Sequence, residues 1–249
     1  RFPTYVNDKE KVEINFFRFL FPTNDFKRTL ELISPGSAGR NRVLKKSDFL
    51  KIKFLLPTLP EQKRIAAFFT VVDKKIAELK QKKALLEQYK KGVMQKLFSQ
   101  ELRFKDENGN EFPKWEKKKL GELTEKINSG KTPLGGESVY TTSGILFIRS
   151  QNIIDNKLSL DNSTYIPVEI NNTMKNSIVI ANDILLNITG ASLGRSCVVP
   201  KDFEIGNVNQ HVCIIRMNKQ NEPRFVQAYF STNEGQKLFN TLQTGSGRE

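Results

Sequence analysis

Five short clusters of the 249-residue chain carry side chains suited to gripping a phosphate or reading a base edge. Lys131-Thr132-Pro133, directly after Ser129-Gly130, puts a cation and a hydroxyl on a stiff loop. Arg149, Gln151 and Asn152 follow the apolar run GILFI, and their planar guanidinium and amide groups can pair bidentately with guanine or adenine edges. TGASLGR combines open backbone with Ser192 and Arg195, and NVNQH supplies Asn209 and Gln210. Arg40 and Arg42 lie in the Gly- and Ser-rich SPGSAGRNR, mirrored near the other end by Arg248 in GSGR; there, exposed NH groups and guanidinium could meet phosphate together.

Each cluster has a plainer reading. Gly130, Gly190 and Gly194 serve equally as turn residues, and Asn207, Asn209 and Gln210 could satisfy backbone groups inside a fold. His211 is the one histidine and has no partner pattern, so it reads as a packed or hydrogen-bonding residue rather than a catalyst. No catalytic set emerges: there is no P-loop, no dinucleotide fingerprint and no Asn-Pro-Pro-Tyr type motif of an adenine methyltransferase. Asp155, Asp161 and Asp183 carry no adjacent Glu-x-Lys and read as strand-end turn residues rather than a nuclease cluster. No metal-ligand spacing is present, and Cys197 and Cys213 read as buried thiols.

The net charge of +13 calls for a polyanionic partner, and its distribution is uneven. About +6 precedes Glu61, about +6 lies between Glu61 and Phe98, and little follows. A lysine-rich solvated helix face is the alternative to phosphate contact. No run of eighteen apolar residues and no signal-peptide pattern occurs, so a cytoplasmic, non-membrane setting is expected.

The element that must hold these clusters in place is the stretch 60–98. Ile65, Val72, Leu79, Leu86 and Val93 recur every seven residues, and Phe69, Ile76 and Leu97 follow three of them by four. This is the stripe of one long amphipathic helix that packs along another helix, a coiled-coil spacer of roughly 54 Å. Before it, residues 14–33 read as two short helices around a Pro-Thr-Asn-Asp break, and residues 1–6 as the end of a strand. After it, 101–114 reads as a linker with a small hairpin at Asn108-Gly109. From Trp115 onward, short runs such as GILFIRS, YIP, SIVI, DILLNIT, SCVVP and HVCIIRM predict a mixed domain with a dominant curved sheet, closed by helical residues at the end. The fold class is therefore α+β, a β-rich domain with short helices plus a long coiled-coil-forming helix.

The chain also repeats itself. Phe16 to Gly36 lies over Phe225 to Gly245 at an offset of about 209 residues, with Phe21 on Phe230, Thr23 on Thr232, Asn24 on Asn233 and Asp25 on Glu234. Ser37 meets Ser246 and, after a one-residue gap, Gly39-Arg40 meets Gly247-Arg248. One repeat plus an overlap is present, as in a piece of a two-repeat protein.

Three passages resemble the specificity (S) subunits of type I restriction-modification systems. LPTLPEQKRIAAFFTVVDKKIAELKQKKALLEQYKKGVMQKLFSQELRF is similar to the region that follows a target recognition domain. FPKWEKKKLGELTEKINSGKTP resembles the opening of such a domain, and GILFIRSQNI, NDILLNITGASLGRSCVV and NVNQHV resemble its body. The resemblance implies two recognition domains held apart by antiparallel helices, each reading one half of a bipartite site on double-stranded DNA. It assigns 1–59 to the end of the first domain, 60–100 to the central helix, and 115–249 to most of the second domain. It further implies a non-catalytic subunit without a cofactor of its own. Modification (methyltransferase) subunits using S-adenosylmethionine and a restriction subunit using ATP and Mg would supply the chemistry. The unpaired apolar stripe implies self-association or pairing with a segment outside the sequence.

Overall fold

The computed structural model describes residues 6–34 and 44–242. Of the strand expected over residues 1–6 all but Val6, which is not in a strand, lies outside the described residues, as do Arg40 and Arg42 in their loop and Arg248 in GSGR. The chain divides into two units, Arg1–Gln88 and Tyr89–Glu249.

In the first unit, α1 (Ile14–Leu20) and α2 (Asn24–Leu32) form a short helical pair, followed by α3 (Lys46–Phe49) and the long α4 (Leu59–Phe98). Thr23 separates the pair because its hydroxyl both donates to Leu20 O, at 2.7 Å, and accepts from Phe26 N, at 3.3 Å. The first bond closes the turn after α1, and the second caps α2. Phe16 and Phe26 are buried. Phe26 stacks on Phe21 at 4.6 Å, and Phe54 closes the cluster edge-on against Phe17 and Phe26.

The start of α4 is pinned by a buried glutamine. Gln62 Oε1 accepts from Glu13 N at 2.9 Å, and its Nε2 donates to Lys11 O and Pro57 O. Arg18 pairs with Asp73 and Phe19 packs on Phe69 at 5.1 Å, so α1 lies along the first turns of α4. With 40 residues, α4 is about 60 Å long. Of its predicted stripe, Phe69, Val72, Ile76, Leu79 and Leu86 are exposed. Ile65, Val93 and Leu97 are half-buried.

The second unit replaces the expected single dominant sheet with two four-stranded sheets. One has the order β1 (Thr124–Ser129), β10 (Val212–Met217), β7 (Ile184–Asn187), β8 (Ser196–Val198), all antiparallel. The other has the order β5 (Thr164–Ile166), β2 (Ile145–Ile148), β9 (Gly206–Val208), β6 (Ile178–Val179), with β2 and β9 parallel. A small hairpin, β3 (Ile153–Ile154) and β4 (Lys157–Leu158), turns through Asp155 and Asn156, both with positive φ. Asp155 thus occupies the strand-end turn its context predicts.

Alternation along the strands explains why there are two sheets. Leu185, Val212 and Ile214 point one way and pack with Ile148, Val179 and Val208 of the facing sheet. Ile184, Leu186, Cys213, Ile215 and Met217 point the other way, against Phe230 of α6 (Pro223–Phe230) and partly buried Phe239 of α7 (Asn233–Thr241). On the second sheet Phe147 and Ile166 turn outward to Met174 and to Ile170 of α5 (Val168–Thr173). A sheet apolar on both faces needs a cover on each, and two sheets sharing one face leave the other two for helices. Cys197 and Cys213 contribute to different core layers and are free thiols.

The internal repeat is structural. α6 and α7 stand where α1 and α2 stand 209 positions earlier, and Thr232 repeats the role of Thr23 bond for bond. Its hydroxyl donates to Tyr229 O at 2.7 Å and accepts from Gly235 N at 3.1 Å. The end of α4 meets this second pair through Phe98, which packs on Phe225, Tyr229 and Trp115. The Asn108-Gly109 turn forms as expected: Gly109 has φ +82°, and Asp106 accepts from the backbone of Asn108 and Asn110.

Candidate nucleic-acid interface

Strand direction brings the candidate loops of the second unit to one end. Ser129, the last residue of β1, pairs with Cys213 near the start of β10, and Asn187, the last residue of β7, pairs with Val212. In the other sheet β2 and β9 run parallel and end together at Ile148 and Val208. Asn187 Nδ2 donates to Ser150 O at 2.9 Å and Gly130 lies against Val208 O, so the segments after β1, β2, β7 and β9, which hold Lys131, Arg149, Arg195 and Gln210, all leave the same end.

Hydrogen bonds stitch three of these segments into a ridge. Thr132 donates its hydroxyl to Gln210 Oε1, and Gln210 donates its amide to His211 Nε2 at 3.1 Å. Since Nε2 accepts, the ring proton sits on Nδ1 and is donated to Thr189 Oγ1. His211 is thus a connector in a polar chain from the β1 loop to the β7 loop, in keeping with the hydrogen-bonding role its isolation suggests. Gly130 is required where the loops meet: a Cβ there would lie 1.9 Å from Val208 O. Gly194 is buried with φ +80°, and Gln236 of α7 donates to its carbonyl, which anchors the TGASLGR loop from below.

The predicted site residues divide by what they touch. Gln151, Arg195 and Gln210 are exposed. Lys131 is exposed and donates to Thr173 O across a groove of about 290 Å³ lined also by Asn128, Asn176 and Lys175. Arg149 is half-buried, its guanidinium 5.9 Å from the Tyr140 ring centroid. Burial, the leading cause, pushes the Tyr140 phenol above its ordinary value, against the opposing charge of Arg149. Arg149 Nε and the Oδ1 of buried Asn187 lack protein hydrogen-bond partners, and both lie under this end.

Three candidates make hydrogen bonds within the fold. Asn152 is buried: its Oδ1 accepts from Arg149 N and its Nδ2 donates to Ser159 O, so no amide edge faces outward for a base. Ser192 accepts from Asn187 Nδ2, and Asn209 Oδ1 accepts from His211 N, each steadying its own loop. Asn207, wholly buried, bonds Asn171 and Met174 O, so the internal reading holds for it.

Two residues that spacing does not single out have structural weight. One is Gln62; the other is Arg216, whose guanidinium grips the buried Asp183 carboxylate. Asp183 pushes the Arg216 pKa up through this hydrogen bond, with burial opposing it. Among the described residues no group of three or more His, Cys, Asp or Glu could hold a metal ion, and no helix is long and apolar enough to cross a membrane.

The second unit is a two-sheet sandwich with polar and cationic loops at one end. Residues 4–88 and 113–248 match the type I restriction modification DNA specificity domain, and the chain belongs to that family. It is similar to the type I restriction enzyme MjaVIII specificity subunit of Methanocaldococcus jannaschii, 28% identical over 77% of this chain and 45% of that protein. It is also similar to the putative MjaX specificity subunit of the same organism, 25% identical over 90% of this chain and 51% of that one. The chain thus spans about half the length of the curated relatives it matches. In fold it resembles the type I restriction-modification S subunit from M. genitalium, with a TM-score of 0.55 at 15% identity over 95% of this chain and 58% of that one.

Proposed function

We propose that this chain reads one half of a bipartite duplex target as a sequence-specific specificity subunit of a type I restriction-modification complex, and that it docks the modification subunits. The observation that carries the proposal is the ridge: Thr132, Gln210, His211 and Thr189 form one hydrogen-bonded chain, flanked by exposed Lys131, Arg195 and Gln151. Cations hold the phosphates and fix register, while amide and guanidinium groups read base edges. Arg40, Arg42 and Arg248 would add phosphate contacts.

On this proposal residues 1–59 close a first recognition domain, 60–100 form the spacer, 101–114 link it onward, and 115–249 make up most of a second domain. The exposed stripe of α4 pairs with a second long helix, from another copy or from the rest of the same protein. The chain itself is non-catalytic. In the cytoplasm, modification subunits with S-adenosylmethionine and a restriction subunit with ATP and Mg act where it binds.

Selection from a random duplex library tests the reading. Enrichment of a defined motif, bound with an affinity that falls steeply as salt rises, is the expected result. Equal binding to all duplexes, or none, would sink it in favour of a scaffold with a basic helix. Methylome sequencing with and without the gene then shows whether a bipartite methylated motif disappears.

A further inference from the structure

Leu134 stands out within the ridge. It is 97% exposed, and no other large apolar side chain of the four loop segments is exposed. A single exposed leucine is ordinary on a protein surface. Its mounting is not. On one side Gly130 is pressed against Val208 O, Lys131 donates to Thr173 O, Thr132 is bonded to Gln210, and Pro133 is buried. On the other side Gly135 and Gly136 take positive φ, Gly136 N bonds back to Pro133 O at 2.9 Å, and a Cβ on Gly135 would strike Val139. Lys131 and Thr132 before Leu134 and the turn from Pro133 to Gly136 around it are tied down by these contacts, and the Leu134 side chain stays exposed between them.

A rigidly presented apolar group loses little freedom on binding, so whatever surface it buries acts nearly undiminished. Along the edges of a duplex, the apolar feature that varies with sequence is the thymine C5-methyl in the major groove. We infer that Leu134 is a specificity-determining residue, packing on a thymine methyl while its polar neighbours hold phosphates and base edges. This rests on the DNA-reading proposal above.

The test repeats the library selection with wild type and with Leu134→Ala, whose fold is safe because the side chain makes no internal contact. The wild-type motif should contain a thymine position that Leu134→Ala no longer prefers, all other positions being kept. Replacing that thymine by deoxyuridine, which removes only the methyl, should weaken wild-type binding roughly three- to tenfold. It should leave Leu134→Ala binding unchanged. Identical motifs and affinities for the two proteins overturn the inference, as does an affinity loss in Leu134→Ala that is insensitive to the methyl. If wild type enriches no motif, the DNA-reading proposal itself fails and this inference with it.

Discussion

Asp183 receives both arms of the Arg216 guanidinium, Nε to Oδ1 and Nη2 to Oδ2, each at 2.8 Å, while also accepting from Ile180 N at 2.9 Å. The Asp183 side chain is 1% exposed and that of Arg216 25%. The pair sits where β7 begins, away from the loop end at Asn187, and clamps β7 to the neighbouring β10.

Breaking such a pair strands a charge in the protein, which is far costlier than replacing both partners. Asp183→Ala should lower the stability of the second unit by about 3 kcal/mol in urea titration, and the double change Asp183→Leu with Arg216→Met should cost less. Because the clamp is remote from the ridge, the folded Asp183→Ala protein should keep its DNA motif. A lost motif at unchanged stability would move Asp183 from support to site.

The ridge and its support should separate in mutants. Arg195→Ala should weaken duplex binding, reduce the salt slope by about one and leave the thermal midpoint in place. Gln210→Ala should relax the motif at one base position, with only a small effect on stability. Asn152→Ala should do the opposite, because it strips Arg149 N and Ser159 O of their partners and costs about 2 kcal/mol. Calorimetry and binding on the same three proteins decide the matter.

Burial raises the Cys197 thiol from its ordinary 9.0 to about 12. The unfolded chain therefore releases this proton at lower pH than the folded one. Its contribution to stability is complete below pH 9 and declines as pH rises toward 12. Denaturation midpoints should fall over that alkaline range, and less so in Cys197→Ala. At pH 8 a thiol reagent should label Cys197 at the rate of unfolding; rapid labelling of the native protein would contradict its burial.

Gln62 satisfies three backbone groups, Glu13 N, Lys11 O and Pro57 O, from a wholly buried position. Gln62→Ala should cost about 2–4 kcal/mol in the first unit. It should also free the Glu13 amide to exchange with solvent. Unchanged exchange there would show that other contacts hold α1 on α4.

Features written into a few neighbouring residues were legible from sequence. The heptad stripe from Ile65 to Val93 specifies a helix because its period needs no knowledge of what lies opposite, and α4 spans Leu59–Phe98. Asn108-Gly109 forms its turn because glycine alone takes the positive φ at little cost. The match of Thr23 with Thr232 predicts a shared structure, since each hydroxyl needs only a carbonyl three residues before and an amide three after it.

The pairing of distant strands was decided by the tertiary structure alone. Residue type nominates Gln151 and Asn152 equally, yet one is exposed and the other buried as a support, a distinction set by how β2 turns toward β3. His211 has no partner in the linear pattern because its partners are the adjacent Gln210 and Thr189, 22 positions away, which only the antiparallel register of β7 and β10 brings together. The sequence by itself determined the elements, the repeat and the chemistry available. Which of those side chains meet depends on long-range register, which short-range spacing does not encode.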